Sequence, residues 1–512
     1  MIKNNESTSS IYLMHKYWGK KPSEALREFI LKYTDKNDLV LDPFAGFGGI
    51  AIESLLLNRN VIINDLNPAA VFISKCVLDE TVNIDKLKEL FESLKKDYQT
   101  FQAAWYSYCG AKIVTILRTK NDVPIKIRIQ EHINAQEKVL TADEQQQFLD
   151  KENHYQISTW VPGDILFTNS RISVKSGMRV SDLFPKRALI CQSFLYSLIE
   201  QLRDCPEKDL LKLAFTSNLA NCSKLVPPIK SRGDMAQGAW MTGFYVGETY
   251  LENNVFHYFE NRVAKIIKGK KDYLQLRLRN QVQTTYSILN EDAKQLHIDS
   301  ESTDFVFTDF PYGDTVPYFE QSQLWNFWLK NRVDYENEIV ISDSSDRNKD
   351  LSHFEQDIQK SIGVIHRVLK NEKYFVFTFH SLLGQEWGAI VKALKQCGFE
   401  FVECDVVVQK TLPPRQLNRT NSIKGDIVAV YKKVKHNRGG EQDFYKVLKQ
   451  NIISMRSKRE IFEVNDIIRT FVKSILETSF SEYVEFGELI DDYFVLDPLT
   501  NKWRIKNELL RA

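Results

Sequence analysis

Residues 39–64 constrain the fold of this chain more than any other stretch. The apolar run LVLDPF at 39–44 leads into the turn AGFGG, a helical IAIESLLL and a second apolar run, NVIINDLNP. Continuous rather than alternating apolar runs mark strands buried on both faces, as in parallel sheets. Parallel neighbours need a crossover, and strand, turn, helix and strand within about 30 residues supply one. The expected fold class is therefore α/β, with a doubly wound, Rossmann-like sheet carrying helices on both faces.

The turn itself, Gly46-Phe47-Gly48-Gly49-Ile50-Ala51, fits the G-x-G-x-x-G/A pattern, and Asp65 follows at the tip of the second strand. Glycines let backbone pass close beneath a ligand, and an acid at that tip accepts hydrogen bonds from ribose hydroxyls. Taken alone, the pattern suits NAD, FAD or S-adenosylmethionine equally. Asp42, just ahead of the turn, separates them: it repels an anionic pyrophosphate and attracts the sulfonium and ammonium of S-adenosylmethionine. A tight turn with a solvated capping acid is the plainer alternative for the turn by itself.

The same texture resumes far downstream in DFVFTDFPYGD, DIQKSIGVIHRVLK, YFVFTFH, WGAIVKALKQCGF, FVECDVVVQ and DIVAVYKK, which read as later strands and helices of one sheet. Residues 1–85 and 286–434 thus form two parts of one domain, with 86–285 inserted between them. After the polar stretch KHNRGGEQD, residues 435–512 read as a small helical or winged domain. A chain of 512 residues has room for this organisation. Lys plus Arg number 68 against Asp plus Glu 67, so net charge neither requires nor excludes a nucleic-acid partner. The seven cysteines are scattered and never spaced C-x-x-C, which argues against a disulfide framework or a cysteine zinc site. With no apolar run of about 18 residues and no signal-like N-terminus, a cytoplasmic protein without membrane contact is expected.

Asp309-Phe310-Pro311-Tyr312 ends the apolar strand at 305–307, at the sheet edge where ligands bind in open α/β folds. That places it beside Asp42. A carboxylate, a proline-stiffened turn and an aromatic ring suit an exocyclic amine and the ring that bears it; in isolation, the tetrapeptide is better read as a capped turn.

Together these pieces resemble the amino-methylating DNA methyltransferases, which form N6-methyladenine or N4-methylcytosine. D-P-F-x-G-x-G, an N-D-x-N-P strand end and a D-P-P-Y element carry the likeness, over about half of the chain. The resemblance implies a class I methyltransferase sheet, a target-recognition domain in the insert, S-adenosylmethionine as cofactor and double-stranded DNA as partner. Lys21, Pro22 and Ser23 match a K-P element beside the cofactor's methionine end. Asp42, Pro43, Phe44, Gly46, Gly48, Asp65 and Asn67 match the cofactor turn and second strand, and Asp292 in Asn290-Glu291-Asp292-Ala293 matches the acid that binds adenine. Asp309, Phe310, Pro311 and Tyr312 take the catalytic places. An Asp in first place leans toward adenine over cytosine. Phe310 replaces the family's second proline and Gly49 its usual Thr or Ser. The paired cysteines that some relatives carry in the insert are absent, so no metal is expected. Cytosine C5 chemistry is disfavoured, because Cys205-Pro206 reverses the Pro-Cys order it uses.

The mechanism implied is base flipping and direct in-line transfer. The run 262–280 holds seven basic residues and one acid, and 409–424 holds four and none. Lys270, Lys271, Arg415, Arg419 and Lys424 are the residues taken from them for phosphate contact; a solvated helix face is an equal reading of the first run. Residues 231–243 read as a recognition loop. Trp325 and Trp328 read as core, and His380 as a packed strand-end histidine. Glu485, Glu488, Asp491 and Asp492 form an acidic cluster without the paired lysine of a nuclease site. The family role implies a restriction-modification or phage-defence setting, with a cognate restriction endonuclease or defence subunits as partners. Rival readings are an RNA guanine-N2 methyltransferase, which Gly313 after Tyr312 also suits, a non-catalytic DNA-binding protein with a decayed site, and an NAD-dependent dehydrogenase, which Asp42 and the 309–312 element make hard to sustain.

Overall fold

The computed structural model describes residues 9–506 except 132–133, 281–282, 382–383, 408–424, 436–442, 457–458, 479, 481, 483, 485 and 499. Its centre is a seven-stranded sheet, whose strands are numbered here in chain order. They are β1 (Leu39–Asp42), β2 (Asn60–Asn64), β3 (Tyr286–Leu289), β4 (Thr303–Asp309), β5 (Leu369–Phe379), β6 (Phe399–Val407) and β7 (Asp426–Lys433). They lie in the order β3-β2-β1-β4-β5-β7-β6, and β7 alone runs opposite to the other six. This is the Rossmann-like α/β sheet expected from the sequence.

The apolar runs form strands because both sheet faces are covered. Val40, Phe305, Phe307 and Val376 join one hydrophobic core, while the alternating Leu41, Val306, Phe375 and Phe377 join another. The first core holds Phe29 and Ile30 of the helix Ser23–Tyr33, and it continues without a break into the inserted segment. The second holds Trp387 and Ile390 of the helix Gly384–Cys397, together with Leu448, Phe471 and Ile475 from the C-terminal helices Phe444–Arg456 and Val464–Thr478.

The chain leaves the sheet after the helix Pro68–Leu78 and returns at β3. Between them lie a five-stranded antiparallel sheet and long helices including Ile84–Trp105, Pro206–Leu219 and Val255–Leu278. Beyond residue 443 come three helices and the hairpin Phe494–Asp497 with Lys502–Ile505. Glu488, Asp491 and Asp492 are exposed on the third of those helices, Phe486–Tyr493. Among the described residues no helix is long and apolar enough to cross a membrane.

The basic run at 262–280 needs correction at Lys270. Its side chain is fully buried, and its ammonium donates to the carbonyls of Cys76 (2.8 Å) and Val77 (2.9 Å), at the C-terminal end of the helix Pro68–Leu78. A cation there satisfies orphan carbonyls and faces the negative end of the helix dipole, so this lysine serves packing and not phosphate. Burial holds its pKa down, at about 8. Lys271, next in sequence, is exposed, while Arg415, Arg419 and Lys424 lie outside the described residues. Replacing Lys270 by Met strands two carbonyls and is expected to cost about 2–3 kcal/mol, read by denaturant unfolding, with DNA affinity unchanged in the folded protein.

Candidate functional site

A cavity of about 1030 Å³ opens at the C-terminal ends of β1, β2 and β4. Parallel pairing brings these ends together, since Asp42 pairs with Ile63 on β2 and Leu41 with Val306 on β4. Asp42, Pro43, Phe44, Gly46, Asp65, Asp292, Asp309 and Pro311 all line the cavity, as does Lys21. Sequence positions as far apart as 21 and 311 thus meet in one place.

The glycine turn fits closely. Gly46 and Gly48 have φ of 52° and 83°, in the left-handed region that side chains resist. A Cβ on Gly46 would stand 2.8 Å from the Tyr17 ring, so the close approach as well as the backbone requires glycine. Asp65 holds the turn from the tip of β2: one carboxylate oxygen accepts the Gly46 amide and the other the Asn67 amide, both at 2.8 Å. Burial lifts its pKa to about 6. Asp42 is 1 % exposed, and one of its oxygens accepts the Phe44 amide (3.1 Å) and the Thr308 hydroxyl (2.8 Å). Burial, reinforced by Asp65 and Asp309, raises its pKa to about 8. Asp292 spends Oδ1 on the Lys294 amide, at 3.0 Å, while its Oδ2 is buried without a hydrogen-bond partner. A buried acceptor left open beside a cavity is suited to a ligand donor.

The second constellation is closed by Lys21. Its buried ammonium lies 2.9 Å from Asp309 and 2.8 Å from Asp426 at the start of β7, and it also donates to the Tyr312 hydroxyl oxygen. Burial opposes the lysine's charge, but the two carboxylates outweigh it and hold the pKa above its ordinary value. Burial raises the pKa of Asp309 against the pull of Lys21. Asp426 goes the other way: burial is outweighed by Lys21 and His380, and its pKa stays low. Asp309 also accepts from Tyr312 (2.9 Å) and Thr378 (2.7 Å) hydroxyls. The Phe310 side chain leaves the site, packing between Phe44 and Phe377 at 5.7 and 5.2 Å in the second core. Tyr312 is 6 % exposed against Phe379, at 6.0 Å.

Four of the residues matched to the cofactor do not line the cavity. Pro22 and Ser23 begin the helix Ser23–Tyr33 and do not line the cavity. Asn67 caps the helix Pro68–Leu78, accepting the Ala69 amide at 3.1 Å, and bonds to Ser322 and Asn326. Gly48 is part of the turn behind the lining. Other residues were not singled out from sequence: Tyr17, Trp18, Tyr318 and the segment Asn337–Ile339 all line the cavity. Tyr17 stacks on Tyr318 at 6.4 Å and Trp18 on Trp325 at 4.8 Å. The Y-W pair in HKYWGKKP was the available signal for the first two. Glu338 pairs with buried Arg347, nine residues on in the same connecting segment, a contact that no local motif announces. Trp325 and Trp328 are 2 % and 0 % exposed, as core residues should be. His380 donates through Nδ1 to the Gly425 carbonyl, at 3.0 Å.

Residues 2–75 match the sequence model of a family described as DNA methylase, of N6 and N4 type. A segment of 118 residues is 30% identical to tRNA (guanine(37)-N(1))-methyltransferase 2 of Arabidopsis thaliana, covering 23% of this chain and 18% of that protein. Another, of 90 residues, is 26% identical to the type II methyltransferase M.MjaII of Methanocaldococcus jannaschii, covering 18% and 17%. The chain therefore spans under a fifth of the length of these curated relatives. Among solved structures, the rRNA methyltransferase aviRa of Streptomyces viridochromogenes aligns over 84% of this chain and 94% of its own, at 8% identity and a TM-score of 0.27. A SAM-dependent methyltransferase of Methanosarcina mazei aligns over 34% and 79%, at 13% identity and a TM-score of 0.19. The segment that carries β1, the glycine turn and β2 is therefore similar to the N6/N4 DNA methylases.

Proposed function

We propose that this chain is an S-adenosylmethionine-dependent DNA methyltransferase acting on the exocyclic amine of a flipped base, adenine N6 ahead of cytosine N4. One observation carries the reading: Asp309 opens into the same cavity as Asp42 and the unpartnered Asp292 oxygen. An amine-binding carboxylate and a cation-attracting turn then serve one reaction. Asp42 faces the cationic end of the cofactor, Asp65 its ribose and Asp292 its adenine amine. When bound, the cofactor supplies a methyl group on a sulfonium. The chain does the rest: Asp309 and the Phe310 carbonyl accept the amine hydrogens and direct the nitrogen lone pair. Lys21, anchored by Asp426, holds Asp309 in place. The incoming amine replaces the Tyr312 hydroxyl on Asp309, which releases the Tyr312 ring to face the base. The insert at 86–285 reads the target. The family role supports a cytoplasmic restriction-modification or defence setting, with a cognate endonuclease as partner.

The test is transfer from methyl-labelled cofactor to unmethylated bacterial DNA and, in parallel, to unmodified RNA, with mass-spectrometric identification of the product. N6-methyladenine in DNA is expected; methylguanine in RNA would replace the substrate class, and binding without transfer to either would mark a non-catalytic protein. Asp309→Asn is expected to lower the transfer rate by about 10²-fold or more while cofactor binding persists. A cation binds the ionised form of Asp42, and below the raised pKa of about 8 the neutral carboxyl must first lose its proton. Affinity for the cofactor therefore rises with pH up to about 8 and levels off above it, in calorimetric titrations. Asp42→Asn should leave only the ligand's own titration, and identical profiles for the two proteins would refute the assignment.

A further inference from the structure

A second hollow, of about 1090 Å³, adjoins the cavity described above, and Tyr12, Tyr17 and Lys20 belong to both walls. Its far side comes from the insert, through Gln237 and Trp240 of the 231–243 loop and Arg262 of the helix Val255–Leu278. Lys16, Lys20 and Arg262 line it, and no acid does. His15, also in the wall, is kept neutral by burial, with its pKa pushed down to about 3.

The three cations differ in what they already hold. Lys20 donates to the Tyr12 carbonyl at 2.6 Å and sits over the Phe47 ring at 3.4 Å, so it is built into the wall. Lys16 lies over the Trp240 ring at 4.1 Å, which fixes its ammonium across the hollow from its own segment. Neither Lys16 nor Arg262 forms an ion pair with a described residue. Arg262 is half-buried and Lys16 exposed at the rim; burial of its ammonium against the wall, then Arg262, brings the Lys16 pKa down to about 8. Like charges that face one hollow without a counter-ion repel, and an anion between them turns the repulsion into attraction.

We propose that this hollow binds a backbone phosphate of the nucleic-acid strand whose base enters the adjoining cavity, held by Lys16 and Arg262. The proposal rests on the reading of the chain as a nucleic-acid methyltransferase, and it adds to that reading where the strand lies. The segment His15–Lys21 is the partition: Lys16 faces the phosphate, while Lys21 holds Asp309 and Gly19 packs beside it. The insert and the cofactor half build the site jointly, which couples strand capture to the reacting end.

The test uses the full chain and fluorescence anisotropy of labelled, unmethylated duplex DNA across a salt series. Lys16→Gln and Arg262→Gln should each lower affinity about tenfold at low salt. Each should also flatten the plot of log affinity against log salt by about 0.9, the value for one lost phosphate contact. Arg262→Lys should restore the slope, and cofactor affinity should not change in any variant. Unchanged slopes in both Gln variants overturn the proposal, as does a wild-type protein that shows no salt-sensitive DNA binding. Inorganic phosphate that binds the hollow while DNA binding ignores both substitutions overturns it in favour of a free anion. Slopes that shift as expected in a protein that transfers no methyl group keep the phosphate site and reject the methyltransferase reading; transfer with unchanged slopes does the reverse.

Discussion

Four carboxylates, Asp42, Asp65, Asp292 and Asp309, converge on one cavity because a parallel sheet sends the ends of its strands the same way. That crowding is the constraint to which the site is built. Burial raises the pKa of Asp42, Asp65 and Asp309, and at Asp42 the charges of Asp65 and Asp309 raise it further. The structure answers differently at each position. Asp65 spends its oxygens on the amides of Gly46 and Asn67, Asp42 on an amide and the Thr308 hydroxyl, and Asp292 leaves one oxygen open. Asp309 receives the Lys21 ammonium at 2.9 Å, closer than the 3.4 Å at which Lys294 stands from Asp292.

That ammonium explains why a strand from the far side of the sheet belongs to the site. Lys21 approaches two carboxylates, and the second, Asp426, opens the antiparallel β7. Burying an ion pair gains little net stability, whereas removing one partner leaves an uncompensated charge and is severe. The arrangement therefore specifies position more than it adds stability. It fixes Asp309 relative to the turn, and it couples the N-terminal segment, β4 and β7, which are remote in the chain.

What was legible from sequence followed from local physics. Continuous apolar runs gave β1, β2, β4 and β5, because full burial on both faces leaves that imprint. The edge strand β3 left almost none: Tyr286, Ile288 and Leu289 are only half-buried and Ser287 is exposed, so four residues carry no period. The ion pair between Lys21 and Asp426 spans 405 positions and has no local signature. Lys270 misled because a basic run looks alike whether a lysine points to solvent or caps a neighbouring helix. Asn67 carried its own correction, since Pro68 directly after it marks a helix start and Asn is a favoured cap.

Phe310 shows how a departure from the pattern the sequence resembles can be absorbed by the core. Proline in that place stiffens the turn through its ring; here the stiffness has another source. The Phe310 ring is wedged among Phe44, Phe375 and Phe377, and its amide donates to the Thr378 carbonyl at 3.2 Å. Thr378 in turn donates its hydroxyl to Asp309 at 2.7 Å. A proline has no amide hydrogen to give β5, so the substitution exchanges a covalent restraint for a hydrogen bond and a packed ring. Both solutions leave the main-chain carbonyl at that position unchanged in kind. The core, and not the reacting end of the cavity, decides which side chain the second position of the tetrapeptide holds.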